Sequence, residues 1–262
     1  MAKGVSIKFK SYEETIPKLL ALIKFDQEIK KHNSIVLKPS LKNSDSRITS
    51  ADFLGAVLQF CVAHKNSSAK IYIAEGSDGE DTRDNFESAH YKPLAEKYGV
   101  SLIDLNTSET EEVNDMHFTS FDTINYPKIL RESYVISMPV LADDLETEIQ
   151  GSLSTMLGAF PAAHYKGFLS SKKTKIKKSP MKYAVHDILR CKMPDLAIID
   201  ASEQGVILTG NPLEMDKQAS KLVGRDWRTI QHIRFVDDSF SNIEREKAER
   251  EAAKAKKTAE KI

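Results

Sequence analysis

Sulfur is scarce in this chain. It has two cysteines in 262 residues, Cys61 and Cys191, standing 130 positions apart and in no CxxC unit. That count excludes a four-thiolate cluster within one chain, and the spacing offers no zinc or dithiol redox site. Cys61 lies among Phe60, Val62 and Ala63, which predicts a buried thiol, and a disulfide is not expected in a reducing compartment. An excess of charge of either sign is also missing: Lys plus Arg and Asp plus Glu both number 38, with a pI near 7.1. Nucleic acid or an acidic membrane surface therefore has no global electrostatic attraction, and any such binding has to be local. No apolar run approaches the ~18 residues that span a bilayer, so no membrane partner is expected. The N-terminal MAKGVSIKFKS lacks the apolar core of a signal peptide, and the expected location is the cytoplasm. Neither GxGxxG nor the P-loop pattern occurs.

What is present is a succession of short apolar runs, each followed by a turn and a helical pattern. The central one runs from Pro194 to Gly224. Leu196 to Ile199 reads as a strand buried on both faces, with Asp200 at its carboxyl end. Val206 to Thr209 is a second strand; it breaks at Gly210, Asn211 and Pro212 before a helix carrying Met215, Ala219 and Leu222. Earlier, Val5 to Lys10 alternates as a half-buried strand, and Tyr12 to Ile23 has helical spacing. Ile35-Val36-Leu37 is a buried strand that Pro39 ends, where Lys38 and Ser40 can face a ligand.

A helix that Thr49 or Ser50 could cap, with Phe53, Leu54, Val57, Leu58 and Val62 along one face, leads to the strand Ala69 to Ala74. Its sequel Glu75-Gly76-Ser77-Asp78-Gly79 joins an acid, small residues and glycines ahead of a helix over 82–98. Val100 to Leu105 is the next strand, ending at Asn106, and three strand-helix units in succession imply a parallel sheet with right-handed crossovers. The acidic stretch Glu109 to Asp115 reads as a solvated loop or an edge. Tyr134 to Leu141 is a further buried strand interrupted by Pro139, and GSLSTMLGAF at 151–160 is either a packed helix or a backbone that approaches a bound group. Lys172, Lys173, Lys175, Lys177 and Lys178 place five lysines within seven positions, as a solvated loop or an anion-binding flap, with the plain loop favoured. Lys182 to Cys191 is helical, and Asp226 to Phe235 reads as a short helix and then an edge strand.

These elements predict an α/β fold: three layers, a mostly parallel central sheet with helices on both faces, Rossmann-like in plan. One domain over 1–240 is expected, with an exposed, charged helical tail over 241–262, where Glu, Lys, Arg and Ala form almost no apolar stripe.

Several short motifs occur in one order: Val36 to Leu41 (VLKPSL), Ala74 to Ser77 (AEGS), Tyr98 to Asn106 (YGVSLIDLN) and Tyr134 to Leu141 (YVISMPVL). Ser152 to Gly158, Pro194 to Asp200 (PDLAIID) and Gly210 to Asp216 (GNPLEMD) complete the set. As a set, over roughly residues 5–236, they resemble the domain-of-unknown-function family 362. The resemblance implies an α/β domain, and because many relatives look coupled to ferredoxin-type cysteine clusters, it implies redox or iron-sulfur partner proteins. With two cysteines, no iron-sulfur cluster is expected within this chain. Three positions depart from the family pattern. Ala142 and Asp143 stand where relatives tend to carry a lysine, Ser154 and Thr155 where they tend to carry Lys-Asn, and Ala201 replaces a glycine. Such losses weaken anion binding or remove a proton donor.

Two functional expectations follow. In the first, the chain binds or acts on a small polar or anionic ligand at the carboxyl ends of its parallel strands. Lys38, Ser40, Ser77, Asn106, Asn211 and Asp216 would bind it. Glu75 or Asp200 would be a general base or share a divalent cation, and His164, beside Tyr165, would transfer a proton. In the second, the chain is a non-catalytic scaffold with a degenerate site that holds partners through its lysine loop and charged tail. Nucleic-acid binding would rest on the lysines alone, without interleaved aromatics, and is not expected.

Overall fold

The computed structural model describes residues 4–41 and 48–243. Its strands are β1 (Val5–Lys8), β2 (Ser34–Pro39), β3 (Lys70–Glu75), β4 (Ser101–Asp104), β5 (Thr110–Val113), β6 (Ile124–Pro127), β7 (Tyr134–Met138), β8 (Ala142–Asp144), β9 (Glu148–Gln150), β10 (Leu196–Ala201) and β11 (Val206–Gly210). Among the described residues a seven-stranded sheet has the order β1-β11-β10-β7-β2-β3-β4. β4, β3, β2, β7 and β10 are mutually parallel, whereas β11 runs antiparallel to both its neighbours. β5 with β6 and β8 with β9 form separate two-stranded ribbons.

Burial on both faces explains why the parallel strands read as unbroken apolar runs. On one face Ile35, Leu37, Ile71 and Ile73 pack with Ile16, Leu19, Phe53 and Val57 from the helices Tyr12–Leu22 and Ala51–His64. On the other, Val36, Ala74 and Val135 pack with Met156, Phe160, Val185 and Ile188. The result is the expected three-layer α/β architecture. The chain goes outward from β2 through β3 to β4, then returns to lay β7 on the far side of β2. Such a reversal opens a crevice beyond the carboxyl ends of the strands.

Local departures from the sequence reading have physical causes. The helix over 82–98 is two, Thr82–Ser88 and Tyr91–Tyr98, separated where His90 takes a left-handed φ of 57°. Of the two readings of Glu109 to Asp115, the edge is what forms: Thr110–Val113 is β5, in a ribbon with β6. The stretch 151–160 is a 3-10 helix, Ser154–Ala159. No edge strand forms at His232 to Phe235; a helix begins at residue 231 and is described to 243. Its buried apolar residues are Ile233, Val236 and Ile243, preceded by the buried Ile230, a helical period that a window closed at Phe235 cuts short. Of the charged tail over 241–262, residues 244–262 lie outside the described residues. Cys61 and Cys191 are both buried and free, and burial pushes the Cys191 thiol up to about 12. No helix among the described residues is long and apolar enough to cross a membrane.

A buried acid ties the layer outside the sheet together. Asp187, on the helix Met181–Cys191, accepts the backbone N–H groups of Thr119, Ser120 and Phe121 and the Thr119 hydroxyl. Its Oδ1 also lies 2.7 Å from His186 Nδ1, and His186 Nε2 lies 2.8 Å from Ser239 Oγ. The order is that of a Ser-His-acid chain. Here, however, the carboxylate is saturated by backbone amides and the ring stands edge-on to Phe235 and Phe240, so the chain acts as a tether for the last helix. Replacing Asp187 with Ala leaves those amides buried and unsatisfied, and is expected to lower the unfolding free energy by about 3 kcal/mol. Urea denaturation followed by circular dichroism measures this; a loss within about 0.5 kcal/mol, the range of surface substitutions, would refute the tether.

Candidate functional site

Next to its last residue, β2 carries a charge that water does not reach. Lys38 has no exposed surface, and its Nζ donates to Glu75 Oε2 at 2.7 Å and to the Thr155 carbonyl at 2.6 Å. Glu75, the last residue of the neighbouring β3, uses its other oxygen to accept the Gly76 N–H at 2.8 Å. Parallel pairing of β2 with β3 puts the two strand ends side by side, which is why residues 37 positions apart form a buried pair. A second ammonium reaches the same place. Lys173 is 1% exposed, and its Nζ donates to the carbonyls of Gly76 (2.7 Å) and Gly158 (3.2 Å).

Burial lowers the pKa of both lysines, against the opposing pull of Glu75. Lys173, which also feels Lys38, comes down to about 8. Two buried ammonium groups thus lie near one buried carboxylate, which only Lys38 contacts. Two glycines make the approach possible: a Cβ on Gly158 would stand 1.8 Å from Glu75 Oε1, and one on Gly76 would stand 2.5 Å from the Gly158 carbonyl.

Glu75 and Lys173 form the floor of a cleft, with Lys38 behind them; Ser40, Ser77, Thr147 and Ser154 line it, and so do Asp78, Asp144 and Glu146. Its cavity of about 80 Å³ is small beside the several hundred Å³ typical of drug-sized ligands, and fits a small polar molecule. At the mouth, Lys177 bridges Asp78 (3.3 Å) and Glu146 (2.6 Å). Asp78 also accepts the Lys173 backbone N–H at 2.6 Å, so the lysine loop is stapled over the β3 turn. This corrects the expectation of a plain solvated loop: one of its five lysines is among the most buried side chains in the protein.

The wall supplied by residues 151–158 depends on Asp216. Its carboxylate, wholly buried, accepts the N–H groups of Ser152 (2.7 Å) and Leu153 (2.9 Å) and leaves no room for a side chain at Gly151. Burial pushes the Asp216 carboxyl up to about 7, against those two amides. Asp216 is therefore a support for the site's wall.

The structure divides the other sequence candidates. Ser40 and Ser77 line the cleft with Glu75, while Asn106 is spent behind it. Its amide donates to the Ser77 carbonyl and Thr82 Oγ1, and its oxygen accepts the Ala162 N–H. Asp200 lies in a separate crevice with Tyr12, Ser50 and Ser202, where it accepts the Tyr12 hydroxyl at 2.6 Å and the Ser202 N–H at 2.9 Å. Asn211 is at the other edge of the sheet: β11 is antiparallel, so its end lies beside the amino end of β10, and the Asn211 side chain caps the helix Pro212–Leu222. His164 is exposed and meets the lysine loop through its carbonyl, which accepts from Lys175. The expected convergence of all nine residues therefore reduces to Lys38, Ser40, Glu75 and Ser77. The sequence pattern picks out the lysine run 172–178 but does not distinguish Lys173 within it. Among the described residues no three His, Cys, Asp or Glu side chains converge to hold a metal ion, and Glu75 is already bonded to an ammonium.

Fold and cleft together define an α/β protein with a charged site at the carboxyl ends of its parallel strands. The family model for Domain of unknown function (DUF362) matches residues 35–221, and the chain belongs to that family. The match runs from β2 into the helix after β11 and so takes in every residue of the charged cluster. No curated protein matches the chain.

Asp216 makes stability depend on pH with a definite sign. Below the ordinary carboxyl pKa of 3.8 it is protonated in both states; from there to about 7 only the folded chain keeps the proton. Each pH unit in that window therefore costs the native state about 1.4 kcal/mol, and the loss is complete above it. Asp216→Asn is expected to remove this slope, so the stability difference between wild type and variant shifts across pH 4–7 and is flat beyond. Urea titrations at stepped pH test it; parallel curves would show that Asp216 is ionised throughout.

Proposed function

We propose that the cleft binds a small anionic ligand, of the carboxylate or phosphate class, at the carboxyl ends of β2 and β3. The observation that carries this reading is the charge at the floor: Lys38 and Lys173 are both buried around the single buried carboxylate of Glu75. Lys38 is compensated directly by Glu75; Lys173 has two backbone carbonyls as acceptors and faces the cavity. An ammonium has three N–H donors, so one on Lys173 remains for a ligand oxygen. In so dry a place a charge-assisted bond of this kind is among the stronger ones available. A lysine that titrates near 8 is also able to exchange a proton with a bound acid at physiological pH, which allows chemistry at the site. The cationic floor, rather than a general base at Asp200 or a proton relay at His164, is what the arrangement supports.

Calorimetric titration with inorganic phosphate and with small mono- and dicarboxylates tests this. Binding of at least one of them at pH 7 is expected, and Lys173→Met is expected to weaken it by about tenfold or more. Because the ammonium form binds, affinity falls as the pH rises past about 8, with the midpoint above that value since a bound anion favours the charged lysine. No detectable binding of any of these anions at millimolar concentration, or a Lys173→Met variant that binds as wild type does, would sink the proposal.

A further inference from the structure

The neutral overall charge conceals a strongly polarised segment. Between Glu148 and Asp187 the chain has no acidic residue, yet it carries seven lysines, at 166, 172, 173, 175, 177, 178 and 182. Two of these are used internally, Lys173 at the cleft floor and Lys177 on Asp78 and Glu146. Lys166, Lys172, Lys175 and Lys178 are exposed and make no ion pair among the described residues. At the tip of the same loop stand Phe168 and Leu169, with 101% and 94% of their surfaces in water. Scattered single apolar residues on a surface mean little, but two adjacent ones, almost completely exposed and flanked in the chain by exposed lysines, form a specific combination.

The loop base is held firmly enough to present that tip. The Gly167 N–H bonds the Lys172 carbonyl at 3.1 Å, closing the turn around residues 168–171. A Cβ on Gly167 would stand 2.5 Å from Thr174 Oγ1, so the neck is tight. Ser171 Oγ donates to the Gly79 carbonyl at 2.8 Å, and the buried Lys173 anchors the following turn.

From this geometry we propose that the loop 166–178 docks the protein on an anionic lipid surface. Phe168 and Leu169 enter the interfacial layer, while Lys166, Lys172, Lys175 and Lys178 lie against the headgroups. An apolar tip with cations around it is the combination by which peripheral proteins hold to acidic bilayers. A partner protein would have to offer a matching apolar pocket inside an acidic ring; a bilayer accepts a protruding tip of any shape. The proposal does not rest on anion binding in the cleft, since none of these six side chains forms its floor.

Vesicle co-sedimentation of the full chain tests it, using phosphatidylcholine alone and equal parts phosphatidylcholine and phosphatidylglycerol. Binding to the mixed vesicles at low salt, weakened by added salt and absent on phosphatidylcholine, is the expected result. The double variant Phe168→Ser, Leu169→Ser is expected to weaken it by about tenfold or more, and so is the charge variant Lys172→Glu, Lys175→Glu, Lys178→Glu. All five positions are exposed, and unchanged circular dichroism confirms that the variants fold. No sedimentation with mixed vesicles overturns the proposal. So does binding that the Phe168→Ser, Leu169→Ser variant retains in full, because the lysines would then be acting as a general polyanion site that soluble polyglutamate should also occupy.

Discussion

The pair between Lys38 and Glu75 is the constraint around which the upper edge of the sheet is built. Taking either charge out of water costs several kcal/mol, and mutual attraction alone rarely offsets that for both partners. Such a pair persists only where further hydrogen bonds complete it, and here they come from the chain's backbone: the Thr155 carbonyl for Lys38 and the Gly76 N–H for Glu75. Each of those bonds recruits a segment distant in sequence. To place Thr155, residues 151–158 must lie across the strand ends, and Asp216 must hold Ser152 and Leu153 to keep them there. To let that segment close on Glu75, position 158 must lack a side chain.

Lys173 has a different standing. Lys38 has a countercharge in direct contact, so it can be justified as structure alone. Lys173 is buried against carbonyl dipoles, with Glu75 already engaged, and that burial lowers its pKa. A buried cation without a contacting carboxylate is a liability in a fold selected for stability only. It is tolerated because the loop that carries it is fastened at several other points, among them Asp78, Glu146 and Gly79.

Much of this was legible in the sequence, and the limits have physical reasons. The runs around Ile35, Ile71, Tyr134 and Leu196 read as strands because burial on both faces removes the polar alternation, and Pro39 and Glu75 marked where strands meet a ligand-facing edge. The position of Asn211 follows from the length of the connection before it. Four residues, Ser202 to Gly205, separate β10 from β11, too few for a parallel crossover, so β11 had to be an antiparallel hairpin partner delivering Asn211 to the opposite edge. Lys173 was not recoverable in the same way. Nothing local separates it from its four neighbours in the run; it is buried because carbonyls from residues 76 and 158 converge on it, and that convergence exists only in the folded chain.

What then distinguishes a binding group from a tether is unused hydrogen-bonding capacity beside a cavity, not residue type or position at a strand end. Asp200 has the expected position, but the Tyr12 hydroxyl takes one oxygen and the Ser202 amide the other, so it fastens the first helix to the central strand. Asn106 spends both amide protons and its carbonyl on neighbouring loops, and Asp187 meets three backbone amides and a hydroxyl. A sequence read for acids and amides at strand ends selects all of these, because the same groups that bind ligands also close loops. Counting donors against acceptors leaves one N–H over on both Lys38 and Lys173, each with two acceptors for three donors, and of the two only Lys173 lines the cavity. The charged floor is therefore better support for the proposed site than the acids that the strand ends display.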